Sequence, residues 1–374
     1  MKEDRDAAGE SEEEPGQVQD VSQKEKVEEK ASKEQSPNRE IIVRAVDHPR
    51  FSSWIVTSGS AATNAIFDAF SNRFSLALEE IDACPMEGFE PEKFDEILSS
   101  NVDLIVLGIS SKGIEWVADQ LNRLFKGKKI PNLLMLTKGL SIYNNQYELL
   151  VDKLERILTE KGIKKLNISA VGGPCLATGL ANRVHSSVVI ANKDINIAKN
   201  IADMLNTNYY HTSHSDDLNG VEVSAAIKNI FSMAVGAAKG LCSTNATSEV
   251  REKNYLNTAS ALIKQSIHEM EIFVEHLKGK KETVKGLAGL GDLYVSSGGG
   301  RNAKMGSYIG EGLTFSEAKK TKMEKVTVEG ADLAKEIAKK VNEDFDHKEL
   351  PLMLSMINAI VEDKKLELDW ESFR

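Results

Sequence analysis

Cysteine is scarce in this chain: three in 374 residues, Cys84, Cys175 and Cys242, far apart and without a C-x-x-C pair. That excludes a disulfide framework and points to free thiols in a reducing compartment. Basic charge is also in deficit. Lys and Arg number 47 against 57 Asp and Glu, a net charge of −10, and the pI is near 5.4, whereas a nucleic-acid binder normally shows a basic footprint. No apolar run approaches the roughly 18 residues of a membrane span, and the charged start does not have the form of a secretory signal. The expectations are a cytoplasmic protein with no nucleic-acid partner and no membrane span. Strong metal ligands are missing as well. His211-x-x-His214 with Asp216 and Asp217 has no third ligand at the usual spacing, so no metal is expected.

What is present is ordinary globular material, 41% hydrophobic and 28% charged, in a chain long enough for two domains. Residues 1–40 stand apart, with 13 acidic against 7 basic residues, no aromatic, and, after Met1, only Ala and Val among the larger apolar types. Such a segment buries too little apolar surface to offset its ordering entropy, and a disordered acidic tail is expected. The block EIIVRAV (40–46) fits an added edge strand.

From residue 53 the pattern alternates. β-rich runs at 54–57, 74–81, 102–109, 132–136, 166–171 and 187–191 are separated by helix-period segments such as 113–124 and 195–205. DLIVLGI (103–109) is apolar without alternation, as in a strand covered on both faces. This predicts an α/β fold with a Rossmann-like, doubly wound parallel sheet over 41–214. From about 215 the pattern becomes helical, which predicts an all-α C-terminal domain over 215–374. Ligands of open α/β sheets lie outside the carboxyl ends of the strands, so a site is expected in the cleft between the two parts.

Four motifs carry candidate chemistry. The first strand runs into Thr57-Ser58-Gly59-Ser60-Ala61-Ala62, a T-x-G-x-x-A version of the G-x-G-x-x-G turn that brings backbone to a pyrophosphate. Ser58, Gly59, Ser60 and Ala61 are its cofactor candidates, and Glu79, Glu80 and Asp82 are the acidic candidates for the ribose. Lys138 follows the buried-type strand NLLML. Lys228 lies in an otherwise apolar helix, with Ser224 and Ser232 one turn away on either side. Desolvation lowers the pKa of such a lysine toward the range useful for acid–base work. GLAGLGDL (286–293) reads as a glycine-rich loop with one carboxylate, Asp292, which needs a cationic partner. Ser296-Ser297-Gly-Gly-Gly-Arg301-Asn302 then leads into a helix and has the makings of a phosphate clamp.

Together the runs LTKGL, VGGPCLATGLA, DDLNGVEVSAAIKNI, GLAGLGDLYVSSGGGRN and VTVEGADLA resemble the NAD(P)-dependent glycerol-3-phosphate dehydrogenase family over residues 103–351. The resemblance implies hydride transfer between NAD, or alternatively NADP, and dihydroxyacetone phosphate or sn-glycerol 3-phosphate, in a homodimer. It implies Lys228 as proton donor, supported by Lys138 and Asp292, with Asn229 and Ser297 in the substrate pocket. Arg301 and Asn302 would hold the phosphate and the nearby cofactor. Ser111, Lys138, Ala177 and Glu329 would also contact the cofactor. The sequence departs from the family where Thr57 and Ala62 replace glycines and where Gly179 takes a glutamate position. The degenerate loop keeps two other readings open, a related phospho- or hydroxyacid dehydrogenase and a catalytically weak nucleotide or metabolite sensor.

Overall fold

Strand formation follows the apolar runs. The computed structural model describes strands at 42–48, 51–57 and 80–81, and residues 103–373 apart from 177, 178, 181 and 243–247. The expected acidic tail, the turn 58–62 and Ala177 lie outside the described residues. The main sheet contains β1 (Ile42–His48), β2 (Phe51–Thr57), β3 (Glu80–Ile81), β4 (Leu104–Gly108), β5 (Asn132–Met135), β8 (Ile168–Gly172), β9 (Ser186–Ala191) and β10 (Tyr210–Ser215). Their order is β10-β9-β8-β5-β4-β2-β1-β3. From β2 to β8 all neighbours are parallel, as in a doubly wound sheet.

Two expectations need correction. The sheet is mixed, because β9 runs antiparallel to β8 and β1 antiparallel to β2. Periodicity shows that a strand exists and is silent about its direction. The block at 40–46 does form a strand, but β1 lies between β2 and β3 and is not the edge. The outer strand β3 is only two residues long and falls at the end of the β-rich run read at 74–81, whose residues 74–79 lie outside the described residues.

Alternate residues of the central strands feed two cores. Ile105, Leu107, Leu133 and Met135 face one way, against α1 (Ile114–Phe125) and α2 (Leu150–Glu160). Leu104, Val106 and Leu134 face the other way, against α3 (Ile195–Leu205). In α1 the buried positions Ile114, Val117, Ala118, Leu121 and Phe125 fall on one helical stripe. Asp194 caps α3 by accepting from Asn196 N. The sequence reading passed over a hairpin between β5 and α2: β6 (Leu140–Tyr143) with β7 (Gln146–Leu149). Asn144 and Asn145 turn it, at φ +50° and +58°, the left-handed values a two-residue hairpin turn requires.

After Ser215 the chain is helical. The centre is α4 (Leu218–Leu241), 20 of whose 24 residues are buried. It is long and apolar enough to cross a membrane, but 94% of its most apolar window is buried within the protein, as in a core helix. Around it lie α5 (Ser248–His276), α6 (Lys281–Val284), α7 (Asp292–Ser297), α8 (Arg301–Gly310), α9 (Phe315–Lys322), α10 (Glu329–Asp344) and α11 (Pro351–Val361). Phe231 of α4 and Phe273 of α5 are fully buried, each contributing about 2–3 kcal/mol through apolar burial. Buried carboxylates close several helix ends. Asp217 accepts from Gly220 N, Lys280 N and Thr283 Oγ1, joining the starts of α4 and α6. Glu269 accepts from Leu352 N and Met353 N at the start of α11, and burial pushes its carboxyl up to about 7.

Helices α4 and α8 interlock through glycine. A Cβ at Gly306 would fall 1.9 Å from Met233 O, and one at Gly236 would fall 2.2 Å from Ala303 O. Gly240 and Gly310 meet the facing helix's backbone just as closely. A larger residue at Gly306 therefore has to push two backbones apart. Gly306→Val is expected to lower unfolding free energy by about 3 kcal/mol, measured by urea denaturation. An unchanged midpoint would show that the helices are not locked by this contact.

Candidate active site

Three elements deliver charge to one point. Lys138 comes from the loop after β5, Lys228 from the middle of α4, and Asp292 from the first position of α7. The Asp292 carboxylate accepts from Lys138 Nζ at 2.5 Å on Oδ2 and from Lys228 Nζ at 2.7 Å on Oδ1. The side chains of Lys228 and Asp292 are 8% and 5% exposed, and that of Lys138 is 28% exposed. Two ammoniums share one carboxylate, so the buried cluster carries a formal charge of +1.

The electrostatics follow from that count. Burial, and then the neighbouring Lys138 charge, push Lys228 down to about 8, against the opposing pull of Asp292. Burial alone would push Asp292 up. The charges and hydrogen bonds of Lys138 and Lys228 outweigh it and hold the carboxyl below the ordinary carboxylate range. Lys228 can thus gain or lose a proton near neutrality while Asp292 stays ionised. Cys175 sits close by, but burial raises its thiol, so it is not an activated nucleophile.

The sequence suggested Ser224 and Ser232 as the polar company of Lys228, and here the structure differs. Ser232 Oγ donates to Asn229 O within the helix, and Ser224 Oγ is buried with no partner among the described residues. The hydroxyl that meets Lys228 is Ser296 Oγ, 2.6 Å from Nζ. Segment 286–293, read as a loop, is helical from Leu287 on: a π-turn at Leu287–Gly291 leads into α7. Asp292 and Ser296 are therefore four residues apart on one helix face. Ser297, named from sequence, turns away and donates to Leu293 O.

A second group lies at the starts of α8 and α10. Asn302 Nδ2 donates to Asn229 Oδ1 at 3.0 Å, and Asn302 Oδ1 accepts from Gly330 N at 3.0 Å. Asn229, the residue after Lys228, thereby joins this pair to α4. Arg301 and Glu329 form an ion pair, both about half exposed. The first turn of α8 begins at Gly300 without a side-chain cap. Ser111 is exposed at the turn after β4. Among the described residues, no group of three or more metal-ligating side chains assembles. His211 Nε2 instead lies 2.9 Å from His185 Nδ1.

Residues 93–198 match the family model for the NAD-dependent glycerol-3-phosphate dehydrogenase N-terminus, and residues 217–368 match that for its C-terminus. The first matched residue lies downstream of the turn 57–62. An NADP(+)-dependent glycerol-3-phosphate dehydrogenase of Archaeoglobus fulgidus is 28% identical over 75% of this chain and 80% of its own length. A glycerol-3-phosphate dehydrogenase [NAD(P)+] of Chlamydia pneumoniae is 31% identical over 59% of this chain and 61% of its own. Among solved structures, the glycerol-3-phosphate dehydrogenase of Coxiella burnetii superposes with a TM-score of 0.57 at 24% identity, over 81% of this chain and 86% of that one. That of Plasmodium falciparum gives 0.60 at 22%, over 72% of each chain. At such identities the structural likeness speaks for the fold. The two matched models, in order along most of the chain, place this protein in the NAD-dependent glycerol-3-phosphate dehydrogenase family.

Proposed function

We propose that this protein interconverts dihydroxyacetone phosphate and sn-glycerol 3-phosphate with NAD(H) or NADP(H), the sheet part holding the dinucleotide and the helical part the substrate. The observation that carries the reading is the single carboxylate of Asp292 bridging Lys138 and the buried Lys228. The described residues fit a dinucleotide. β2 and β4 end on one edge with Thr57 opposite the side-chain-free Gly108, the last residue of β4, and the exposed Ser111 follows three residues on. When bound, the cofactor supplies or accepts the hydride at C2 of the three-carbon unit.

The chain's own residues do the rest. Lys228 Nζ gives a proton to the carbonyl oxygen during reduction and takes it back from the alcohol during oxidation. Asp292 and Ser296 aim that nitrogen, and Lys138 keeps the pocket positive for a phosphorylated substrate. Arg301, Asn302 and the open first turn of α8 hold the phosphate. Assembly of this whole set disfavours both the sensor reading and another hydroxyacid dehydrogenase.

The test is oxidation of NADH and of NADPH by dihydroxyacetone phosphate, followed by absorbance. Turnover with at least one cofactor is expected, and none with either would sink the reading. We also carry a cytoplasmic location and a homodimer as proposals. Free thiols at Cys175 and Cys242 support a reducing compartment. Light scattering of the purified protein at twice the monomer mass is the expected result for the dimer.

A further inference from the structure

We propose that Glu222 is a positioning residue, pinning the segment that follows Lys138 to the helix that carries Lys228. Glu222 lies in the second turn of α4 and is 5% exposed. Its Oε1 accepts from Val151 N, in the first turn of α2, at 3.2 Å. Its Oε2 is buried without a partner among the described residues. A carboxylate so placed leaves one oxygen dry, and burial, helped by the nearby Asp152, pushes the group up to about 8 against the hydrogen bond from Val151 N and the weaker pull of Lys193. Lys193 is itself engaged by Asp152 at 3.0 Å and Glu155 at 3.8 Å, so it does not neutralise Glu222 directly.

The position matters because of what runs between the two contacts. Lys138 leads straight into the β6–β7 hairpin, which leads straight into α2. That stretch meets α4 at both ends: at Lys138 through Asp292, and at Val151 through Glu222. Between them Leu140 and Leu149 pack in one cluster with Val223 and Ala226 of α4. The outer side of the hairpin is held by α10, where Glu336 accepts from Ile142 N and Glu343 from Asn145. Glu222 is thus the polar contact that fixes the far end of the Lys138 segment along α4. Displacement of a catalytic group by about 1 Å can slow a reaction by up to roughly 100-fold.

The inference rests on the dehydrogenase reading, and its test separates the two. Glu222→Gln keeps the shape and the acceptor without the charge, whereas Glu222→Leu removes the contact. Glu222→Leu is expected to lose roughly tenfold in kcat for dihydroxyacetone phosphate with KM for NADH little changed, and Glu222→Gln to stay within about twofold of wild type. A folded Glu222→Leu with wild-type kcat, or a Glu222→Gln as slow as Glu222→Leu, would overturn the proposal.

A second readout needs no substrate. A carboxyl raised from 4.5 to about 8 contributes stability that is full below pH 4.5 and is lost as pH climbs to about 8. The Tm of wild type should therefore fall between pH 5.5 and 8.5 relative to that of Glu222→Gln, and parallel curves would overturn the proposal even if turnover is absent.

Discussion

Replacing Lys228 with alanine lowers kcat for dihydroxyacetone phosphate reduction by roughly a thousandfold, the middle of the range for loss of a positioned general acid, in a protein that still folds. Folding survives because Asp292 keeps Lys138 as a partner when Lys228 is gone. The loss belongs to kcat and not to cofactor affinity, since the Lys228 nitrogen is occupied by Asp292 and Ser296. The pH dependence gives an independent signature. With Lys228 pushed down to about 8, reduction needs its protonated form and slows as pH rises through 8. Oxidation of glycerol 3-phosphate needs the neutral amine and quickens over the same interval. Steady-state rates in both directions from pH 6 to 10 check this, and loss of both limbs is expected in the alanine variant. A variant with unaltered kcat would remove Lys228 from the mechanism.

Asp292→Leu should be the most destabilising single change in the site. It leaves the buried Lys228 ammonium facing Lys138 without a counter-charge. Breaking a buried pair by removing one partner costs about 3–5 kcal/mol, and the 28% exposure of the Lys138 side chain places this case at the lower end. The deficit should shrink at pH 9 to 10, where Lys228 can shed its proton. Urea denaturation at pH 7 and pH 9.5 measures both effects. Equal stability to wild type at pH 7 would mean that the two ammoniums do not depend on this carboxylate. Asp292→Asn, which keeps the volume and one acceptor, should fall between the two.

Much of this architecture was legible in the residues themselves. DLIVLGI announced a doubly covered strand because nothing along it alternates, and the stripe of α1 announced a helix lying on a sheet. Lys228 was conspicuous as one ammonium in an apolar helix, and Asp292 as one carboxylate among glycines. Their meeting was legible only through the family resemblance, because 64 residues separate them and spacing alone does not close that distance. Ser296 was hidden by its twin Ser297. Choosing between them requires the helical phase from Asp292, and GLAGLGDL reads as a loop because glycines are poor helix formers. The hairpin before α2 left a signal in Asn144-Asn145, the pair that tolerates two left-handed residues. The direction of β9 left none.

The interlock of α4 with α8 bears on how this site can behave as a machine part. Side-chain packing allows small slips, since rotamers adjust. Backbone seated against backbone at four glycines does not. Lys228, the proposed proton donor, rides on α4, and Arg301 and Asn302, the proposed phosphate holders, ride on α8. Their spacing is therefore a fixed gauge cut into the main chain. A substrate whose carbonyl and phosphate sit too far apart cannot be accommodated by stretching this gauge. Chain length between the two groups would then be measured by the fold itself, before any side chain is consulted.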